Sequence, residues 1–343
     1  MRSLNIIEPG GQGGVYQSVL GGIQQGAYRE YDRVVVHTAK DCEAAPEIDG
    51  VSYCFCMRYQ RGGPHVFRAV VSLMWVMLRL IPHVIRVAST SQGWEVQGLF
   101  GKYVFVLLIA IPRLLRNKVT WVPHNSFSRA GGRLEVWAQR LSSRLCNELV
   151  VFVDSEAPKF PFAKAVIKRR LFMFTVDVSS QVRERWRLEL ESDLRPVILF
   201  VGQLRSDKNP RMLLEAVNGL DFACTLVFAG QDKGALDSIH AFRLASIHTL
   251  VVESRYLDIS DFQGLMRISD LIVCPYAVAS QSAVLALASQ FGVSSIASDV
   301  GGLSEQADRV FELDSVDPVG RLRALISSSL EPKLTLLANG DEK

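Results

Sequence analysis

The sequence predicts an α/β protein made of two Rossmann-like domains, on three observations. Short β-branched apolar runs alternate with helix-length segments, the βαβ rhythm of a parallel sheet covered by helices on both faces. That rhythm breaks at a polar segment near residues 175–195 and then restarts. The chain has 343 residues, 48% hydrophobic and 21% charged, which is enough for two cores and too apolar for a disordered chain.

Taken in order, the runs Leu4–Ile7, Val34–His37, Val51–Phe55, Val84–Ala88, Val119–Pro123 and Leu149–Val153 read as strands. Gln12–Tyr28, Val66–Leu80, Glu95–Leu115 and Arg133–Asn147 read as the helices between them. The polar, helix-prone stretch Val178–Asp193 follows. The second half repeats the pattern with strands Val197–Val201, Cys224–Ala229, Leu250–Val252, Leu271–Pro275 and Ser295–Ser298. Helices are expected at Pro210–Gly219, Asp261–Ser269 and Ser282–Phe291, with one more at Val319–Leu330 before a fraying tail. The domains are therefore drawn at 1–175, 176–315 and a terminal helix and tail at 316–343.

The net charge of +3 conceals an asymmetry. Residues 1–175 carry 22 Lys and Arg against 12 Asp and Glu, a balance of +10, and the remainder carries −7. Between Gly50 and Leu134 the sole acid is Glu95, against eleven cations from Arg58 to Arg133. Such a field suits a phosphate-rich partner such as anionic lipid or a lipid-linked pyrophosphate. Nucleic acid is not expected, since the cations are spread through an apolar background without a recognisable binding motif. Two stretches of this tract, His65–Leu80 and Tyr103–Arg116, are rich in apolar residues. They are either buried helices or helices lying at a membrane interface, and both fall short of the roughly 20 apolar residues of a membrane span. The opening MRSLNIIEPGG is interrupted too soon to read as a signal peptide. Six cysteines at 42, 54, 56, 146, 224 and 274 show neither a disulfide framework nor paired zinc spacing, so they read as reduced structural thiols.

Open α/β sheets bind ligands beyond the carboxyl ends of their strands, and four constellations fall there. Pro9-Gly10-Gly11-Gln12-Gly13-Gly14 joins the first strand to a helix. Its spacing is neither the dinucleotide fingerprint nor a P-loop, so Gly13 and Gly14 mark either a tight turn or a ligand loop. Gly202-Gln203-Leu204-Arg205-Ser206-Asp207-Lys208-Asn209-Pro210 places two cations, Arg205 and Lys208, where a loop opens a helix, which suits a diphosphate. In Cys274-Pro275-Tyr276-Ala277-Val278-Ala279-Ser280-Gln281-Ser282-Ala283-Val284, Ser282 is a good helix N-cap. Gln281, Ser282 and the backbone of Ala283 and Val284 could hold a phosphate there. The fourth, Ser298-Asp299-Val300-Gly301-Gly302-Leu303-Ser304-Glu305, is a strand-to-loop turn ending in a carboxylate.

The last three constellations, in this order, resemble the donor-binding domain of the family-4 GT-B glycosyltransferases. The resemblance runs from about Val197 to Glu305 through LFVGQLRSDKNPRMLLEAV, LVFAG and the long stretch ending in DVGGLSE. The first half resembles the family more loosely, through its Gly-rich first loop and WVPHNSFS. The family's two signature glutamates would fall at Ala279 and Leu287, so both are absent, and SQSAVLALA resembles instead a subgroup that makes exopolysaccharides and surface glycans. Gln203, Ala283 and Ser294 also depart from the common pattern.

The resemblance implies a GT-B architecture, two Rossmann-like domains facing each other across a cleft. It implies a first domain that binds acceptor and a second that binds a nucleotide-sugar donor. Arg205 and Lys208 would serve the leaving diphosphate, with Gly202, Gln281, Ser282, Ala283, Val284, Gly301, Gly302 and Glu305 around the donor. His124 would face the transferred sugar, or else is a structural histidine. A hexose-type sugar would pass to a lipid-linked glycan at the cytoplasmic face of a membrane, without cofactor and without metal, since no D-x-D motif is present. The competing expectations are a catalytically silent protein of the same architecture and a nucleotide-sugar epimerase.

Overall fold

A computed structural model describes residues 2–57, 76–89, 91, 93–98, 106–125 and 132–340. The chain divides into two units, Met1–Phe174 and Thr175–Lys343. Each is Rossmann-like and built on its own all-parallel sheet.

In the first unit the strands are β1 (Ser3–Ile7), β2 (Arg33–Ala39), β3 (Val51–Met57), β4 (Gly93–Gln97), β5 (Lys118–Val122), β6 (Glu148–Val151) and β7 (Val166–Lys168). The α-helices among the described residues are α1 (Gly13–Gln24), α2 (Ile81–Ala88), α3 (Leu107–Leu114) and α4 (Arg133–Leu145). The strand order is β3-β2-β1-β4-β5-β6-β7, with Leu4 of β1 opposite both Val34 and Gly93. Ile7, Trp94, Val96, Leu108, Ile109 and Trp121 are among the side chains of its core.

Three sequence expectations change here. Val84–Ala88 is the second half of helix α2 and not a strand. Val84 and Ala88 are buried four residues apart while Ile85 is 45% exposed, which is helical and not strand periodicity. The helix expected over Glu95–Leu115 begins instead as β4, whose five residues are all buried, and the helical part is Leu107–Leu114 with Pro112 inside it. Of Val66–Leu80, residues 66–75 lie outside the described ones, and Val76–Leu80 forms a π-helical turn. The helices of this basic tract bury one face, yet Leu78, Ile85 and Leu114 stand out beside Arg79, Arg86 and Arg113. No helix among the described residues is long and apolar enough to cross a membrane.

The second unit begins with α5 (Ser180–Glu189). Its strands are β8 (Val197–Val201), β9 (Thr225–Ala229), β10 (Thr249–Glu253), β11 (Leu271–Cys274), β12 (Ser294–Ser298) and β13 (Arg309–Phe311). Between and after them lie α6 (Pro210–Asn218), α7 (Leu236–His240), α8 (Ile259–Ile268), α9 (Ala283–Phe291) and α10 (Pro318–Gly340). The order is β10-β9-β8-β11-β12-β13. β8, β9 and β11 are buried along their whole length, which is why they read as unbroken apolar runs. The terminal helix runs well beyond its expected end, and its first half is anchored by Leu322, Ile326 and Leu330, buried at four-residue spacing. β7 and β13 were not expected. Both are three-residue edge strands, too short and too exposed to show a period.

In both sheets the chain starts at the middle, winds one way, then returns to wind the other. The crevice at that reversal lies between β1 and β4 in the first unit and between β8 and β11 in the second.

Candidate functional site

The two loops that leave β8 and β11 flank the reversal in the second unit. Gly202 ends β8 with φ 110°, and Gly230 ends β9 with φ 139°. A Cβ on Gly230 would stand 1.9 Å from the Gly202 carbonyl oxygen, so the two strand ends meet as closely as backbone allows and only glycine serves at 230. The Ala277 N–H donates to the Asp207 carbonyl at 2.9 Å, tying the two crevice loops together. Lys208 Nζ lies 4.8 Å from the centroid of the Tyr276 ring, which steers the ammonium over an aromatic face. The same ammonium is 2.9 Å from the place a Gly202 Cβ would occupy, and Val284 Cγ2 is 4.0 Å from that place. Gly202, Lys208 and the first turn of α9 therefore converge.

That turn is well built. Ser282 has the extended backbone of an N-cap, and its hydroxyl accepts from Leu285 N–H at 3.3 Å. Gln306 grips the Ser282 backbone from both sides, accepting its N–H at 2.7 Å and donating to its carbonyl at 3.2 Å. The N–H groups of Ala283 and Val284 have no acceptor within the helix, by the geometry of any helix start. With the helix dipole behind them and Lys208 in front, they form a place for an anion.

The other expected residues fall differently. Arg205 is clamped in a two-pronged ion pair with Asp207, Nε and Nη2 each at 2.9 Å from a carboxylate oxygen. Its charge is thereby shared within its own loop. Gly301, at φ 58°, sits where a Cβ would be 1.9 Å from the Ala279 carbonyl, and Gly302 N–H donates to the Ser280 carbonyl at 3.0 Å. These two glycines brace the β11 loop. Gln281 is half-buried beside Ser282, and Glu305 is exposed at the end of the short turn Gly301–Glu305. Tyr276 and Gln306 are neighbours of Lys208 and Ser282 that spacing did not single out. Tyr276 lay in view within the motif, whereas Gln306 sits 24 residues from its partner and carries no local signal.

In the first unit the corresponding loop holds the opposite charge. Glu8 is buried, and its carboxylate accepts from Gly11 N–H at 2.6 Å and Gly10 N–H at 3.0 Å. Burial pushes its pKa up to about 7 in spite of those bonds. Gly13, the first residue of α1, donates its N–H to Glu43 at 3.0 Å, and Gly14 follows it in the same turn. The glycine loop thus wraps the chain's own carboxylates.

His124 stands just past β5 with φ 63°, an uncommon backbone for a side-chain-bearing residue. It is buried, and its Nε2 lies 2.6 Å from Gln97 Oε1, so that nitrogen carries the proton. Burial first, then the positive Arg169, lowers its pKa to about 3, so it is neutral at ordinary pH. Behind it runs a buried chain of contacts. Gln97 Nε2 donates to Glu95 at 2.6 Å, Tyr28 donates to the same carboxylate at 2.6 Å, and Arg169 reaches both its oxygens at 2.9 and 3.2 Å. The lone acid of the basic tract is therefore the core partner of an arginine 74 residues away. Also in this unit, His37, Cys54, Cys56 and His83 gather their ligand atoms within 4.8 Å of one another. A groove of about 570 Å³ in the second unit, lined by Arg183, Arg187, Arg267 and Lys333 among others, contains none of the residues expected from sequence.

Residues 195–322 match the family model described as glycosyl transferases group 1. This part of the chain is similar to the group 1 glycosyl transferases. Among solved structures, the chain is similar to Anabaena HepE in complex with UDP-glucose, at 14% identity and TM-score 0.64, over 97% of this chain and 91% of that one. It is similar to the sucrose-phosphate synthase of Thermosynechococcus elongatus, at 14% identity and TM-score 0.67, over 96% and 90%. It is also similar to WaaG, a glycosyltransferase involved in lipopolysaccharide biosynthesis, at 14% identity and TM-score 0.61, over 98% and 92%. These likenesses establish the GT-B fold. No curated protein matches the chain in sequence.

Proposed function

We propose that the protein transfers a hexose-type sugar from a nucleoside diphosphate sugar to a lipid-linked glycan acceptor, in the synthesis of an exopolysaccharide, capsule or O-antigen. The observation that carries this reading is the meeting of Lys208 with the N-terminus of α9 at the reversal point of a domain similar to the group 1 glycosyl transferases. Breaking the bond from the sugar's C1 to the diphosphate leaves negative charge on the leaving oxygens. The Lys208 ammonium and the N–H groups of Ala283 and Val284 stabilise that charge through fixed dipoles, without a metal in this scheme. Arg205, held by Asp207, orders the loop that carries Lys208 and adds a more distant positive charge. His124, proposed to act at the transferred sugar, is neutral and bonded through Nε2 to Gln97, so it would not act there as a cation. HepE binds UDP-glucose, which supports a uridine-type donor here. The basic, apolar surface at Leu78, Ile85 and Leu114 fits peripheral attachment to the cytoplasmic face of the plasma membrane, where a lipid-linked acceptor is found.

One observation favours a second reading, a catalytically silent protein of the same fold. Leu287 is buried at 1% exposure in α9, so core packing fills the place of a signature glutamate. Release of nucleoside diphosphate separates the two. The purified protein is given a panel of nucleotide sugars with a bacterial lipid extract as acceptor. Acceptor-dependent release from one donor is expected, and donor binding without release from any would establish the silent form.

A further inference from the structure

Three elements of the first unit bring sulfur and nitrogen ligands to one point, independently of sugar transfer. His37 lies on β2, Cys54 and Cys56 on the neighbouring edge strand β3, and His83 on α2. The ladder between β2 and β3 shifts register at Cys56, and both sulfurs come to the same point. The His83 Nε2 is 3.0 Å from His37 Nδ1 and 3.7 Å from Cys54 Sγ, and all four ligand atoms lie within 4.8 Å. A tetrahedral zinc with bonds of about 2.0 Å to nitrogen and 2.3 Å to sulfur needs ligand atoms roughly 3.3–3.8 Å apart. The cluster is close to that spacing already.

The surroundings hold His37 in the form that coordinates a cation, while burial pushes the Cys56 thiol up to about 12, so that a cation must draw off its proton. The Asn5 side-chain oxygen, which can only accept, lies 2.9 Å from His37 Nε2. The proton therefore sits on Nε2, and the Nδ1 lone pair faces the cluster. Such an outer partner is the usual device for orienting a ligating histidine. His37 also packs against Trp94 and edge-on against His83, which fixes both rings. Burial favours the neutral form of both imidazoles, with Arg86 adding to the effect on His83.

We propose that His37 Nδ1, Cys54 Sγ, Cys56 Sγ and His83 Nε2 form a structural site for a divalent zinc-class cation, which clips edge strand β3 and helix α2 to β2. Two sulfurs and two imidazole nitrogens are the donor set of tetrahedral zinc. Four protein ligands leave no open position, so the site holds the fold together and does no chemistry on a substrate. On binding, each thiol gives its proton to solvent and the two thiolates balance the charge of the cation.

The test uses the full chain, stripped with a chelator under reducing conditions. Titration with Co²⁺ should give a thiolate-to-cobalt band in the near ultraviolet and the intense visible bands of a tetrahedral site, saturating at one equivalent and bleached by Zn²⁺. Cys54→Ser with Cys56→Ser should lose those bands and the Zn²⁺-dependent rise in unfolding temperature. Cys42→Ser should keep both. If the double variant fails to fold, His83→Gln takes its place, with at least a tenfold loss of Co²⁺ affinity expected. A wild-type titration without thiolate bands would mean that the four groups are only hydrogen-bonded to each other. Unchanged bands in a folded Cys54/Cys56 variant would equally overturn the site.

Discussion

The glycine loop before α1 and the helix start at α9 each flank the reversal of their own sheet, one after β1 and the other after β11, yet they treat anions in opposite ways. Before α1 the backbone donors are already taken by Glu8 and Glu43. At α9 the cap is supplied by a neutral serine, held by a neutral glutamine, and the facing charge is Lys208. One helix start is closed by the chain's own carboxylates, and the other presents its dipole together with a cation. The contrast is the reason the proposed diphosphate site is placed in the second unit. It also predicts where mutations register: in stability for the first unit's charges, in donor use for the second's.

The largest effect should come from Arg169→Met. Glu95, at 3% side-chain exposure, would be left without its cation, and breaking a buried pair of this kind costs about 3–5 kcal/mol. Urea unfolding measures it, and a loss below about 1 kcal/mol would show that the network is not what holds this region. Next comes Lys208→Ala, which should cost about 2–4 kcal/mol of transition-state stabilisation in kcat/KM and leave the unfolding temperature nearly unchanged. Arg205→Ala should cost less, because Asp207 already shares its charge. An Arg205 variant more damaged than the Lys208 variant would reverse the roles assigned here.

A pH effect follows in size. The pKa of Glu8 is raised from 4.5 to about 7, so the fold favours its protonated form. That contribution is full below about pH 4.5 and is lost as pH rises through 7, on the order of 1–3 kcal/mol in all. His124 has the opposite sign. Its folded pKa of about 3 lies below 6.5, so its contribution is present above 6.5 and lost as pH falls. Relative to wild type, Glu8→Gln should therefore gain in melting temperature between pH 5 and pH 8. Parallel profiles would show that Glu8 is ionised in the fold across that range. The smallest effect expected is that of Ser282→Ala, about 1 kcal/mol in stability from the lost cap, with donor binding weakened modestly because the backbone donors remain. Isothermal titration with nucleoside diphosphate checks the second part, and loss of all binding would make the hydroxyl itself the principal contact.

What could be read along the chain was whatever leaves a local pattern. The central strands of the second unit, buried on both faces, wrote themselves as apolar runs, and the Ser282 cap stood at the head of its helix as its residue type requires. Val84–Ala88 was misread because β-branched residues suggest a strand while only packing reveals a four-residue period. The difference between Arg205 and Lys208 was equally out of reach. Both are cations in one loop, and only the folded loop shows that Asp207 takes the first and Tyr276 faces the second.

By itself, then, the sequence determined the α/β class, the two-part chain, the basic first half and the loops in which a phosphate site could stand. These follow from periodicity, composition and cap chemistry, which act over a few residues. Tertiary structure alone decided which of those loops turn their charge on themselves: Asp207 on Arg205, Glu8 on the glycine loop. It paired Glu95 with Arg169, set Gln306 on Ser282, and brought His37, Cys54, Cys56 and His83 to one point. Those contacts bring together segments up to 74 positions apart through the winding of a parallel sheet, where crossovers separate strands that lie side by side.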